Sequence, residues 1–111
     1  MFGKVITDSK TVHDKVTFRA GDEKITLRVD KDGRQIVIDL QKVREQMSKI
    51  TDENMEAEIA GCAQAYAAAM FGDEQAAKLM DFYNNPLSVV NVCGQYFKRY
   101  LDKKITKAQV L

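Results

Sequence analysis

"KVTFRAGDEKITLRV", Lys15–Val29, is the stretch whose reading decides the fold of this chain. Polar and apolar residues alternate on both sides of a short "AGDE" centre, with Val16 and Phe18 in the first run and Ile25, Leu27 and Val29 in the second. A period of two places those five side chains on one face, so the stretch reads as a β-hairpin. A two-stranded ribbon is marginal in water, and its apolar face needs a cover. That cover has to come from the rest of the chain.

Upstream, "KVITDSKTVHD", Lys4–Asp14, adds an edge strand to this reading. Downstream, "DKDG", Asp30–Gly33, reads as a turn in which Gly33 can take positive φ. Its acids invite comparison with a calcium loop. With Gly33 at the sixth place, however, Arg28 would stand first, where a carboxylate is required, and Asp39 would stand last in place of the longer Glu. The plain turn is the preferred reading.

From Ile36 the period changes. Ile36, Leu40, Val43, Met47 and Ile50 recur at intervals of four and three, one stripe of a helix. Ile36, Ile38 and Leu40 also alternate, which leaves a third strand as the rival; the length of the stripe favours the helix. Thr51 is the expected cap of the next helix, with Asp52, Glu53 and Glu56 near its positive end. That helix carries Met55, Ile59, Cys62, Tyr66 and Met70 on its sharp face and alanines elsewhere, and Gly72 stops it. Asp73 is expected to cap a short third helix through Tyr83. Asn85 then caps a fourth, with Pro86 at its first position, where the missing N–H costs nothing.

Length and composition agree with this layout. The chain has 111 residues, enough for one core and too few for two, so residues 1–111 form a single domain with a hairpin region at 1–33 and a helical region at 34–111. The expected fold class is α+β, mostly α: an N-terminal β-hairpin packed on a small bundle of about four helices. With 45% hydrophobic residues and a net charge of +1, the composition is that of a folded globular protein and not of a disordered one. No run approaches the roughly 20 apolar residues of a membrane span, so no membrane partner is expected. Cys62 and Cys93 stand apart without a CxxC or Cys/His cluster, which points to no zinc site, no disulfide framework and a reducing, cytoplasmic compartment.

The charges are less even than their sum. Residues 1–44 carry +3, residues 45–81 carry −6 and residues 82–111 carry +4. Solvated helix faces account for such a pattern, and so does docking on oppositely charged partners.

In the last helix the apolar residues cover an arc of roughly 220°, more than one core contact requires. Leu87, Val90, Phe97 and Leu101 lie on one face, and Val89, Val92, Tyr96 and Tyr100 on another. The first reading of that breadth is a central helix packed on two sides. The functional reading makes the second face a partner-binding surface of Val89, Val92, Tyr96 and Tyr100, because tyrosine combines contact area with a polar tip. Lys103 and Lys104, with Lys107, would form its charged rim. Cys93 falls between the faces as a small apolar filler, and the lone His13 lies far from it in sequence. Paired acids sit at helix starts, where the helix dipole explains them. No phosphate loop, HExxH or GxSxG pattern occurs, so neither an enzyme nor a cofactor is expected.

"FGDEQAAKLMDFYNNPLSVVNVCGQYFKRYLDKKITKAQ", Phe71–Gln109, contains "FG", "FYNN", "VVNVCGQYF" and "KKITKAQ" in order. In these elements it resembles the C-terminal half of small tail assembly chaperones encoded by prophages of Gram-positive bacteria. The resemblance covers about 40 of the 111 residues and matches the remainder only in layout. It implies a non-enzymatic protein of the bacterial cytoplasm that transiently binds the tape-measure protein and recruits tail-tube subunits, and it transfers no site residue. The alternative is a permanent virion component, such as a head–tail connector or completion protein, built as a homo-oligomer. A nucleic-acid partner using Lys98, Arg99, Lys103, Lys104 and Lys107 is disfavoured by the acidic middle and the near-neutral total.

Overall fold

The structure, a computed structural model, describes residues 11–110, with side chains to 106. Strand β1 (Thr11–Ala20) and strand β2 (Glu23–Asp32) pair antiparallel in one two-stranded sheet, with Val16 opposite Leu27 and Phe18 opposite Ile25. The turn between them has two residues, and only Gly21 has positive φ (+62°). Gly at the first central position with its successor on the ordinary side is the II′ pattern, whose twist matches that of the strands it joins. Val12, Phe18, Leu27 and Val29 are buried on the inner face. The expected edge strand falls in part on β1 and in part outside the described residues.

β2 runs straight into helix α1 (Gly33–Ser48), which corrects the "DKDG" turn. Asp32 is not a turn residue but the N-cap: its Oδ1 accepts from Arg34 N at 2.8 Å. Ile36 and Val43 are buried, with Leu40 and Met47 half-buried beside them, so the helical period prevails over the alternation at Ile36–Leu40. The next helix, α2 (Met55–Phe71), begins later than a Thr51 cap would place it. Asn54 faces backward, its Oδ1 accepting from Thr51 N at 2.6 Å and its Nδ2 donating to Lys49 O. That closes the connection as a turn and leaves α2 without a side-chain cap.

Gly72 (φ +87°) separates α2 from α3 (Asp73–Tyr83), so Asp73 stands inside the first turn and does not cap it. Asn84, at φ +52°, ends α3 in the left-handed conformation. Asn85 then caps α4 (Pro86–Tyr96), accepting from Leu87 N and Ser88 N with Pro86 at the first position, as the sequence predicts. A π turn, Phe97–Leu101, carries α4 onward into α5 (Asp102–Val110), so these segments form one fourth helix.

The architecture is therefore the expected mostly-α α+β fold: a hairpin on four helices. Helix α2 occupies the middle, packing against α1, α3, α4 and β2. Some of its alanines are buried beside its bulky residues: Ala63 and Ala67 are as inaccessible as Cys62 and Met70, whereas Met55, Ala57 and Ala60 are exposed. Small side chains there let neighbouring helices approach. The rings of Phe18, Phe71 and Tyr96 meet at 5.8–6.2 Å, tying β1, α2 and α4 together. Among the described residues no helix is long and apolar enough to cross a membrane.

Candidate partner-binding groove

The last helix buries one line of residues: Val89, Cys93, Tyr96, Leu101 and Ile105. The first two steps are of four and three residues, as in any α-helix, and so is the last, of four; the step from Tyr96 to Leu101 is five. The π turn supplies that extra residue. In an unbroken α-helix Tyr100 and Lys104 would come next on the inner line. The insertion turns Leu101 and Ile105 inward instead and leaves Tyr100 58% exposed. The geometry of the candidate face follows from this shift.

Val89 is fully buried and Tyr96 is 4% exposed, so the four-residue face inferred from a regular wheel does not exist as one surface. Val89 belongs to the core. The Tyr96 hydroxyl donates to Asp14 Oδ2 on β1, and Lys104 Nζ lies 3.6 Å from Asp14 Oδ1, so Lys104 is held on the hairpin side and is not a free rim charge. Burial and the Asp14 carboxylate both push the Tyr96 phenol well above its usual range, which keeps it a donor. Lys103 is exposed.

What remains is a groove. Val92, Tyr96 and Tyr100 form one wall, and Val16, Thr17, Phe18 and Arg19 of β1 form the other, enclosing about 270 Å³. Tyr83 closes one side by donating from its hydroxyl to Arg19 O at 2.8 Å, and Arg99 stands at the rim. Thus three of the six residues inferred from sequence, Val92, Tyr96 and Tyr100, line a common depression. The hairpin half of it was missed. Its only sequence signal is Val16 and Phe18 alternating with Lys15, Thr17 and Arg19, a pattern that says which way they face and not what they face.

No protein-family model, curated protein or solved structure matches this chain. Cys93 is fully buried, and burial pushes its thiol up to about 12, so it carries a proton at neutral pH; burial with nearby Glu58 raises Cys62 as well. His13 is exposed, with Nδ1 2.7 Å from Asp30 Oδ1 across the hairpin. Among the described residues no three His, Cys, Asp or Glu side chains group closely enough to hold a metal ion. A larger depression, about 470 Å³ between α1 and α2, is floored by alanines. Its Lys31 and Asp39 are already engaged: Lys31 Nζ donates to Ala69 O at 3.0 Å and lies 3.5 Å from Asp39 Oδ2. The groove beside β1 combines aromatic surface with Arg19 and Arg99, which form no ion pair among the described residues, and this suits it to a protein segment.

Proposed function

We propose that this protein is a non-enzymatic tail assembly chaperone of a long-tailed phage, acting in the bacterial cytoplasm. It holds the tape-measure protein and recruits tail-tube subunits, then leaves before the particle is complete. The observation that carries this reading is the likeness of Phe71–Gln109 to such proteins, through "FYNN", "VVNVCGQYF" and "KKITKAQ". The groove supports it physically. Exposed Tyr100 and half-buried Val92 offer apolar area that a partner covers reversibly, and Arg19 and Arg99 give the encounter a salt-dependent steer.

The test is quantitative mass spectrometry of purified particles and of the assembly lysate, with capture through a tag on this chain. Enrichment of tape-measure protein in lysate together with absence of the chain from particles is the expected result. A fixed, ring-like copy number in particles overturns the reading in favour of a permanent connector or completion protein.

A further inference from the structure

The outer face of the hairpin presents an electrostatic conflict. Lys15 stands opposite Arg28, and Arg19 opposite Lys24, with Thr17 opposite Thr26 between them. Like charges in direct cross-strand register repel, and this hairpin has two such pairs on one face, roughly 13 Å apart along the strand. All four cations are exposed, and among the described residues none forms an ion pair. The two threonines bond each other at 2.9 Å and supply no counter-charge. The nearest carboxylate on this face among the described residues, Asp30 towards its far end, is engaged with His13, so the stretch from Lys15 to Arg19 has no anion opposite it.

The same residues lie along a strand edge that no third strand covers among the described residues. Next to a two-residue turn, Ala20 and Glu23 exchange ladder bonds, so the backbone groups of residues 13, 15, 17 and 19 on β1 and of 24, 26, 28 and 30 on β2 point outward. The side chains that do reach the edges agree with this alternation. On β2, Gln75 Oε1 accepts from Arg28 N and Gln75 Nε2 donates to Arg28 O, as a neighbouring strand would. On β1, Tyr83 takes only Arg19 O. The β1 edge at Val16–Arg19 borders the groove, whose inner wall is Tyr96, Tyr100 and Val92.

We infer that the outer edge of β1 accepts an extended segment of a partner protein, of alternating acidic and apolar residues, as a third strand. Strand periodicity assigns the chemistry: one row of its side chains lies beside Lys15 and Arg19 and is acidic, and the other enters the aromatic groove and is apolar. Nucleic acid fits less well. The cationic face is closed at the turn by Asp22 and Glu23 and at the other end by Asp30, which would oppose a continuing phosphate chain. The inference uses the groove assigned to the proposed function but not its partner, so a tape-measure capture that fails leaves it standing.

The test is fluorescence anisotropy of the whole chain with a labelled acetyl-Glu-Val-Glu-Val-Glu-Val-Glu amide, its Lys-for-Glu counterpart and a fifteen-residue oligothymidylate. The acidic peptide is expected to bind at least tenfold tighter than the other two. Thr17→Pro removes an outward N–H that the hairpin does not use and should weaken binding at least tenfold, whereas Thr17→Val, which loses the same hydroxyl, should not. Lys15→Glu should weaken binding while raising the thermal midpoint, because it relieves the clash with Arg28. Equal binding by Thr17→Pro and Thr17→Val, tighter binding of the oligonucleotide, or no saturation by the peptide overturns the inference. If Thr17→Pro does not fold, amide exchange on the native chain decides: new protection of the Lys15 and Thr17 amides on adding peptide supports the third strand, and unchanged exchange sinks it.

Discussion

Cys93 and Tyr96 sit side by side in the buried line of the last helix, and both keep their protons by virtue of burial. An unfolded cysteine loses its proton near pH 9.0, while the folded thiol holds its proton to about 12. Between those values the unfolded chain binds fewer protons than the native one, so stability is complete below pH 9 and declines as pH rises through the window. The slope is about 1.4 kcal/mol per pH unit for each fully titrating proton. Urea midpoints at pH 8, 9 and 10 should show this decline. Cys93→Ala should flatten it even though the variant is less stable at neutral pH. The packed cysteine was legible in sequence from its place between two apolar faces; the Tyr96–Asp14 bond was not, because 82 positions separate its partners.

At the scale of elements, the hairpin and the last helix each carry a feature that local rules disfavour. Lys15→Glu replaces the repulsion with Arg28 by an attraction and should raise stability by roughly 0.2–1 kcal/mol, measured by urea denaturation. A loss of stability would mean that Lys15 already has a stabilising role in the free protein. In the last helix, deletion of Arg99 converts the five-residue step into four and restores an α-helical line of Tyr96, Leu101 and Ile105. The fold should survive with stability within about 1 kcal/mol of the parent, since the deletion removes only an exposed residue from an irregular turn. Leu101→Ala, by contrast, should cost about 2–5 kcal/mol, because it empties a fully buried position. Hairpin, helix order and the Asn85–Pro86 start could be read from period and punctuation. The late start of α2 could not, because the Asn54 side chain turns back onto Thr51 N and Lys49 O and closes a turn there, which only the backbone path decides.

For the molecule as a whole, Lys31 joins three elements that the chain visits in turn. It extends inward from β2, reaches Asp39 on α1, and donates to the carbonyls of Ala68 and Ala69 at the negative end of α2. Lys31→Met keeps the apolar stem and removes the charge. It should cost about 1–2 kcal/mol, seen in chemical denaturation, and should loosen the hairpin from α1 and α2 in amide exchange. An unchanged midpoint would show that the ammonium only shields the cleft. Gln75 and Tyr83 make comparable ties from α3 to the two strands, so the hairpin is held at both edges by helix side chains.

The sequence by itself determined the elements. Periods of two and of three to four residues, with Gly21, Gly72 and Asn85–Pro86 as punctuation, specify a hairpin and then four helices, because these signals act over one or two turns of chain. Tertiary structure alone decided which apolar residues are spare. A regular wheel puts Val89, Val92, Tyr96 and Tyr100 on one face, but the π turn rotates the rest of the helix, sending Leu101 inward and Tyr100 outward, while β1 covers part of the surface that the wheel leaves open. Exposure is a property of two surfaces meeting, and the sequence of one helix describes only one of them.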